Sequence, residues 1–181
     1  MYRIYDIEDK VRVPPEKLGM ALKDSVKQAI ADKLEGTLDP SLGVILAVTD
    51  IGSVGEGKIL PGDAGVHYQA KFKLLTYKPE LQELVQGVVV DNAEFGSFIR
   101  IGPLDGLVHI SQIMDDFVSY DNKNSVFLGK QTKRSLKEGD HVRGRVIAVS
   151  WGEQNKIGLT MRQNRLGAIQ WIQEDKRKKK V

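Results

Sequence analysis

The chain of 181 residues contains no cysteine. That excludes disulfides and thiolate metal sites, and it fits a reducing compartment, so a cytoplasmic location is expected. No apolar run approaches the roughly 20 residues that span a bilayer. No charged-then-apolar leader precedes residue 20, so neither a membrane partner nor a secretory signal is expected. Histidine is scarce: His67, His109 and His141 fall on three different expected strands. No histidine pair stands at helical spacing with a glutamate, and no Ser or Cys nucleophile motif or Asp-rich metal loop is present. A lone strand histidine such as His109 near Asp105 is ordinarily a surface or stacking residue. The sequence therefore carries no catalytic, metal or cofactor constellation, and the chain by itself is not expected to be an enzyme.

The chain has 41% hydrophobic and 28% charged residues, an ordinary globular balance. Its net charge of +3 is uneven. Residues 1–84 hold 11 basic and 13 acidic side chains, residues 85–161 hold 9 and 9, and residues 162–181 hold 7 and 2. The excess lies in the tail, Lys176-Arg177-Lys178-Lys179-Lys180. A terminal run of this kind is expected to be a solvated end, with contact to a nucleic-acid backbone as the functional alternative.

Tyr2 to Val13 reads as a strand whose acidic cluster, Asp6, Glu8 and Asp9, implies a bulge or bend. Pro14-Pro15 ends it and suits the first turn of a helix. From Glu16 to Glu35, Leu18, Leu22, Val26, Ala29, Ile30 and Leu34 recur at three and four, which predicts one amphipathic helix closed by Gly36. Leu42 to Ile51 reads as a strand buried on both faces. Gly52 to Gly65 holds five glycines and predicts a long mobile loop. Gly55-Glu56-Gly57-Lys58 is not a phosphate loop, because Lys58 is followed by Ile59 rather than Ser or Thr. In Val66 to Tyr77, Val66, Tyr68, Ala70, Phe72 and Leu74 share a face, which predicts core rather than stacking roles for the aromatics. Lys78-Pro79 marks the boundary between a first domain, 1–79, and a second, 80–181.

The second domain is organised around residues 86–113. Three strands are expected, at Val88–Val90, Phe95–Ile101 and Leu107–Ile110, with turns at Asp91-Asn92 and Gly102-Pro103. Parity sends Ser97, Ile99 and Ile101 inward and Phe98 and Arg100 outward. His109 falls outward beside Phe98. An outward aromatic beside a guanidinium offers single-stranded nucleic acid a stacking surface and a phosphate contact. Val142 to Val149 predicts a fourth strand with Val142, Val146 and Ala148 on one face and Arg143, Arg145, Ile147 and Val149 on the other. Lys156 to Arg162 predicts a fifth, with Ile157, Leu159 and Met161 inward. Residues 114–136 are a polar insertion that turns from acidic to basic along its length. Arg165 to Gln173 predicts a short terminal helix.

The order G-x-V, F-G-S-F-I and G-L-V-H-I-S, then Gly139-Asp140-x-Val142 and Ile157-Gly158-Leu159-Thr160, resembles an S1 domain, a five-stranded OB-type RNA-binding barrel. Ile7 to Pro15 and the segment from Leu42 to Tyr77 narrow the likeness. Over nearly its whole length the chain resembles the larger stalk subunit, E-prime, of archaeal RNA polymerases. The fold implied is α+β: an N-terminal RNP-like tip domain, one helix against an antiparallel sheet, followed by the S1 barrel. That family carries an insertion at the place of residues 114–136. Many S1 domains have an aspartate after the fourth strand, where this chain has Ser150-Trp151-Gly152.

The resemblance implies a noncatalytic polymerase subunit that forms a heterodimer with the smaller of the two stalk proteins, the F subunit. It also implies docking on the polymerase core and contact with nascent single-stranded RNA. On this chain, the RNA face falls on Phe95, Phe98, Arg100, His109, Arg145 and Lys156. Phe95 has inward parity and is included because the family motif has an aromatic there. The core-docking loop falls on Gly55, Lys58, Ile59, Leu60 and Pro61. Two alternatives from other classes are a free-standing S1 factor in translation or RNA decay, and an S1-bearing nuclease component. The first domain separates them, since residues 1–84 hold neither a repeated barrel nor a catalytic carboxylate or phosphate-binding pattern.

Overall fold

The computed structural model describes residues 1–151 and 156–178. The chain divides into two units, Met1–Lys78 and Pro79–Val181.

The first unit comprises β1 (Tyr2–Val13), α1 (Leu22–Leu34), β2 (Leu38–Asp39), β3 (Gly43–Ile59) and β4 (Val66–Tyr77). The sheet runs β1-β4-β3-β2 and is antiparallel throughout. β1 pairs with β4 residue for residue along its whole length, without the expected bulge. Asp6 and Glu8 point to the solvent face, opposite Lys73 and Lys71, and Glu8 meets Lys71 at 3.3 Å. Cross-strand lysines thus absorb the acidic cluster and leave the alternation intact. The other face buries Val11 and Val13 against Ala70, Phe72 and Leu74, as the β4 pattern predicts.

The expected helix over 16–35 is broken. Pro15–Lys17 is a separate 3₁₀ turn, and α1 starts at Leu22. Ser25 is buried and its hydroxyl donates to the Lys17 carbonyl at 2.6 Å, holding the turn against the helix. Val26, Ala29 and Ile30 form the buried face, while Leu18 and Leu22 are exposed. Gly36 (φ 78) ends the helix as expected.

The glycine-rich segment is not a loop. β3 continues through Ile59 and forms a long hairpin with β4, with only residues 60–65 as connection. The β3–β4 register slips between Ile51 and Val54 and again between Val54 and Gly57. At Gly57 a Cβ would lie 2.8 Å from both the Tyr68 ring and Val66 Cγ1. Glycine here makes room for the partner strand at a bulge rather than marking loop freedom. At the start of β3, Val44, Ile45 and Val48 are buried, but Thr49 and Asp50 are exposed, so burial on both faces fades after Val48.

The second unit comprises β5 (Leu84–Ala93), β6 (Gly96–Arg100), β7 (Asp105–His109), β8 (Val118–Asp121), β9 (Val126–Gly129), β10 (Ser135–Leu136), β11 (His141–Ser150), β12 (Lys156–Thr160), β13 (Gly167–Ala168) and α2 (Ile169–Lys178). The main sheet runs β12-β7-β6-β5-β11-β13, and β12 also pairs with β11. That closes a five-stranded barrel, with β7 and β12 parallel at the seam. Its core holds Val89, Ile99, Ile101, Val108, Val142, Val146, Ile157 and Leu159.

Several expectations shift. Asp91 and Asn92 lie within β5, which bulges between Val89 and Asp91, and the turn falls at Glu94-Phe95. A bulge between Val146 and Ala148 reverses parity late in β11. Ala148 is therefore exposed, and Val149 packs against the core. Residues 114–136 fold as a three-stranded sheet, β10-β9-β8. Phe127 and Leu136 from this insertion are fully buried in the barrel's own core cluster. The terminal helix begins four residues later than expected, at Ile169, and buries Trp171 and Ile172. It takes in Lys176 and Arg177 of the basic run; Lys179 and Lys180 lie outside the described residues. Among the described residues no helix is long and apolar enough to cross a membrane.

Candidate nucleic-acid interface and docking tip

The β5–β6 turn places Phe95 at the tip of a tight hairpin, between paired Ala93 and Gly96. Phe95 is 52% exposed and meets half-buried Phe98 edge-on, with centroids 5.9 Å apart and planes at 89°. The Phe95 carbonyl accepts from the Ile110 amide at 3.0 Å, which fixes the turn against the end of β7. Gly96 is buried, and a Cβ there would collide with the Val108 carbonyl, so only glycine permits this approach. Gly96 pairs with His109, and Phe98 with Leu107. Phe95, Phe98 and His109 therefore cluster at one end of the β6–β7 ribbon. His109 Nδ1 lies 2.9 Å from the Ser111 hydroxyl, which orients the ring.

Arg100 is on the same outer face, two residues along β6. Its guanidinium makes a two-pronged pair with Asp105, at 3.0 and 3.3 Å. The Asp105 hydrogen bond, then its charge, raises the arginine's already high pKa. Arg100 is therefore a paired cation rather than a free one. Lys156 is exposed and starts β12, whose Gly158 pairs with Leu107, so it stands on the same side of the barrel as Arg100. Arg145 is not brought to the aromatic cluster. It pairs across to Leu84 and Thr160, and one of its terminal nitrogens approaches the Gln82 carbonyl at 3.5 Å.

The insertion is riveted to the barrel by contacts the sequence did not reveal. Asn92 is buried, and its amide donates to the Ser125 carbonyl at 2.9 Å. The Tyr120 hydroxyl donates to the Asn92 carbonyl at 2.6 Å. Asp116 accepts from the Thr132 amide and hydroxyl, each at 2.8 Å, and from the amides of Gln131 and Phe117. These donors, the Thr132 amide foremost, hold its pKa down to about 2. Arg134 pairs with Asp175 of α2 and lies 5.7 Å from the centre of the Trp171 ring. The basic half of the insertion is thus tied in part to the terminal helix.

In the first unit, the five expected docking residues form the bulged end of β3 or follow it directly. Gly55, Lys58 and Ile59 are in the strand, and Leu60 and Pro61 open the turn. Ile59 is 73% exposed and Leu60 49% exposed. Asp63 latches this turn. It accepts from Arg12 Nε and the second Arg12 nitrogen, at 2.8 and 2.6 Å, from the Gly65 amide at 2.9 Å, and contacts His67 Nε2 at 2.8 Å. The Arg12 hydrogen bonds, then the Gly65 amide and His67, push its carboxyl far below the ordinary range. Spacing alone gives no sign of this latch, since Arg12 and Asp63 are 51 residues apart.

Among the described residues no group of three or more His, Cys, Asp or Glu side chains could hold a metal ion. Residues 8–64 match the SHS2 domain found in the N terminus of Rpb7p/Rpc25p/MJ0397, and residues 78–162 match the S1 RNA binding domain. The DNA-directed RNA polymerase subunit Rpo7 of Saccharolobus shibatae is 36% identical over 98% of this chain and 100% of its own length. Subunit Rpo7 of Sulfolobus acidocaldarius is 33% identical over 97% of each chain. Subunit RPB7 of RNA polymerase II from Saccharomyces cerevisiae is 28% identical over 58% of this chain and 62% of its own. With an SHS2 unit followed by an S1 barrel, and end-to-end likeness to archaeal relatives, the chain belongs to the Rpo7 family of DNA-directed RNA polymerase subunits.

Proposed function

We propose that this chain is the noncatalytic stalk subunit of an archaeal, cytoplasmic RNA polymerase, and that its barrel holds emerging single-stranded RNA. The Phe95–Phe98 pair on the outer face of the S1 barrel carries this reading. Every base has a face to stack, so binding is tolerant of sequence, and each stacked base contributes about 1–3 kcal/mol. Phe95, Phe98 and His109 form the stacking end, Lys156 and, more remotely, Arg145 supply positive charge along the outer surface, and Arg100, paired with Asp105, offers its remaining donors. The tip of the β3–β4 hairpin docks on the polymerase core through Ile59 and Leu60, with Gly55, Lys58 and Pro61 shaping it. The chain pairs one-to-one with the smaller stalk protein, the F subunit. Exposed Tyr2 and Ile4 on the sheet face away from α1 support a protein partner there.

Crosslinking or fluorescence titration of single-stranded RNA on the stalk heterodimer tests the RNA reading. Light scattering tests the pairing: a stable, monodisperse monomer indifferent to the smaller stalk protein would refute it. The free-standing S1 factor is disfavoured by likeness to Rpo7 that extends through the SHS2 unit as well as the barrel.

A further inference from the structure

The outer face of the barrel does not end at Arg100. Val88 of β5 pairs with Arg100 on one side and with His141 of β11 on the other. Gln86 pairs with Arg143. These residues, with Gln170 of α2, line an open groove of about 720 Å³. Two interstrand spacings, about 10 Å, separate β6 from β11 along this row.

The charges in the groove are arranged unequally. Arg100, Arg134 and Arg162 of this unit are matched by Asp105, Asp175 and Asp115. Arg143 is half-buried, and among the described residues it has no carboxylate partner. Asp140 is the acidic residue among those lining the groove, and donors of its own hold it. It is buried, one oxygen accepts from the Lys137 amide at 3.0 Å, and the other lies 3.5 Å from Gln170 Nε2. A half-desolvated guanidinium with unfilled donors, flanked by an imidazole and two carboxamides, matches an anion carrying several acceptor oxygens.

Building on the RNA-binding reading of the barrel, we propose that the groove between β5, β11 and α2 binds the phosphodiester backbone of the same RNA strand, with Arg143 as its central contact and His141, Gln86 and Gln170 beside it. The strand then stacks bases on Phe98 and passes Arg100 and Val88 to reach β11. This extends phosphate binding from the β6–β7 aromatics across β5 to β11.

The test is a fluorescence-anisotropy titration of a labelled oligouridylate across a salt series, using the full chain in its stalk heterodimer. Arg143→Ala is expected to weaken binding about tenfold at low salt. It should flatten the salt dependence by about 0.7 in log–log slope, as for one lost single-strand phosphate contact. Arg143→Lys should restore most of the slope. If Arg143→Ala lowers the melting temperature, Arg143→Gln and His141→Gln serve in its place. Phe98→Ala in parallel separates the two readings. Loss with Phe98→Ala alone refutes the groove and leaves the stacking face intact. Loss with neither refutes both. Unchanged RNA affinity or salt slope in Arg143→Ala overturns the proposal, including the case in which that variant instead loses the smaller stalk protein and reveals a protein interface.

Discussion

The two units end their sheets in different ways. In the first, β1 and β2 are edges and one helix covers one face, so apolar Tyr2 and Ile4 on the other face and Ile59 and Leu60 at the tip remain exposed. In the second, β12 pairs with both β7 and β11, so the barrel has no such free edge at its seam. It offers a surface instead, with two aromatics at one end and arginines along it. An open sheet of this kind exposes what a protein partner can bury. A closed barrel with an aromatic outer ribbon exposes what a flexible, sequence-tolerant ligand can lie against. On the proposed reading, docking falls to the first unit and RNA to the second.

The sharpest way to break the contrast is to open the barrel from its insertion. Phe127 comes from the inserted sheet yet is fully buried in the barrel's core. Phe127→Ala should cost about 3–5 kcal/mol in stability, read by urea denaturation. A cost near zero would mean the insertion is decoration and the barrel stands without it.

A smaller effect is expected at the tip. Replacing Ile59 and Leu60 with serine should leave the melting temperature unchanged, because both side chains already face solvent. Burial of each at an interface is worth about 1.5–3 kcal/mol, so association with core polymerase should fall at least tenfold in a pull-down or interferometry assay. Unchanged association removes docking from this hairpin. Asp63→Asn should act one step back, loosening the turn. The amides around Gly65 should exchange faster while those of β1 near Tyr5 hold.

The smallest effect is a pH one. The Asp116 carboxyl titrates at about 2 in the folded chain, below its ordinary 3.8. Its contribution is therefore complete above about pH 4 and is lost as the pH falls toward 2. Asp116→Asn should narrow the stability gap from the parent across that window, measured by thermal melts against pH. A gap that stays constant from neutral pH to pH 2 would show that the carboxylate's charge does not hold the turn.

Where period alone decided, sequence and structure agree. The β4 alternation, the inward Ser97, Ile99 and Ile101, and the buried helix stripe from Val26 to Ile30 follow from one-sided burial. Disagreements arose where a distant strand set the outcome. Glycines at 52, 55 and 57 read locally as loop, but β4 opposes them and makes them bulges. The polar run after Met114 reads as surface until Asn92, Tyr120 and Phe127 are seen to tie it inward. The bulge after Val146 leaves no mark in the alternation, so Ala148 and Val149 exchange sides. In the candidate site, Phe98, Arg100 and His109 were legible from parity. The Phe95 position required the turn at Glu94-Phe95, and the Asp105 pairing of Arg100 required the β6–β7 register.

If the barrel's aromatic ribbon holds single-stranded RNA, removing the Phe98 ring must weaken that binding. The most direct measurement is the RNA affinity of Phe98→Ala in the stalk heterodimer, alongside its melting temperature. Binding should weaken by about 1–3 kcal/mol, while the melting temperature falls far less than for a core residue, since Phe98 is half-buried on the outer face. Unchanged affinity in Phe98→Ala, together with loss of binding when residues 176–180 are deleted, would contradict RNA binding by the ribbon and leave RNA contact to the basic tail.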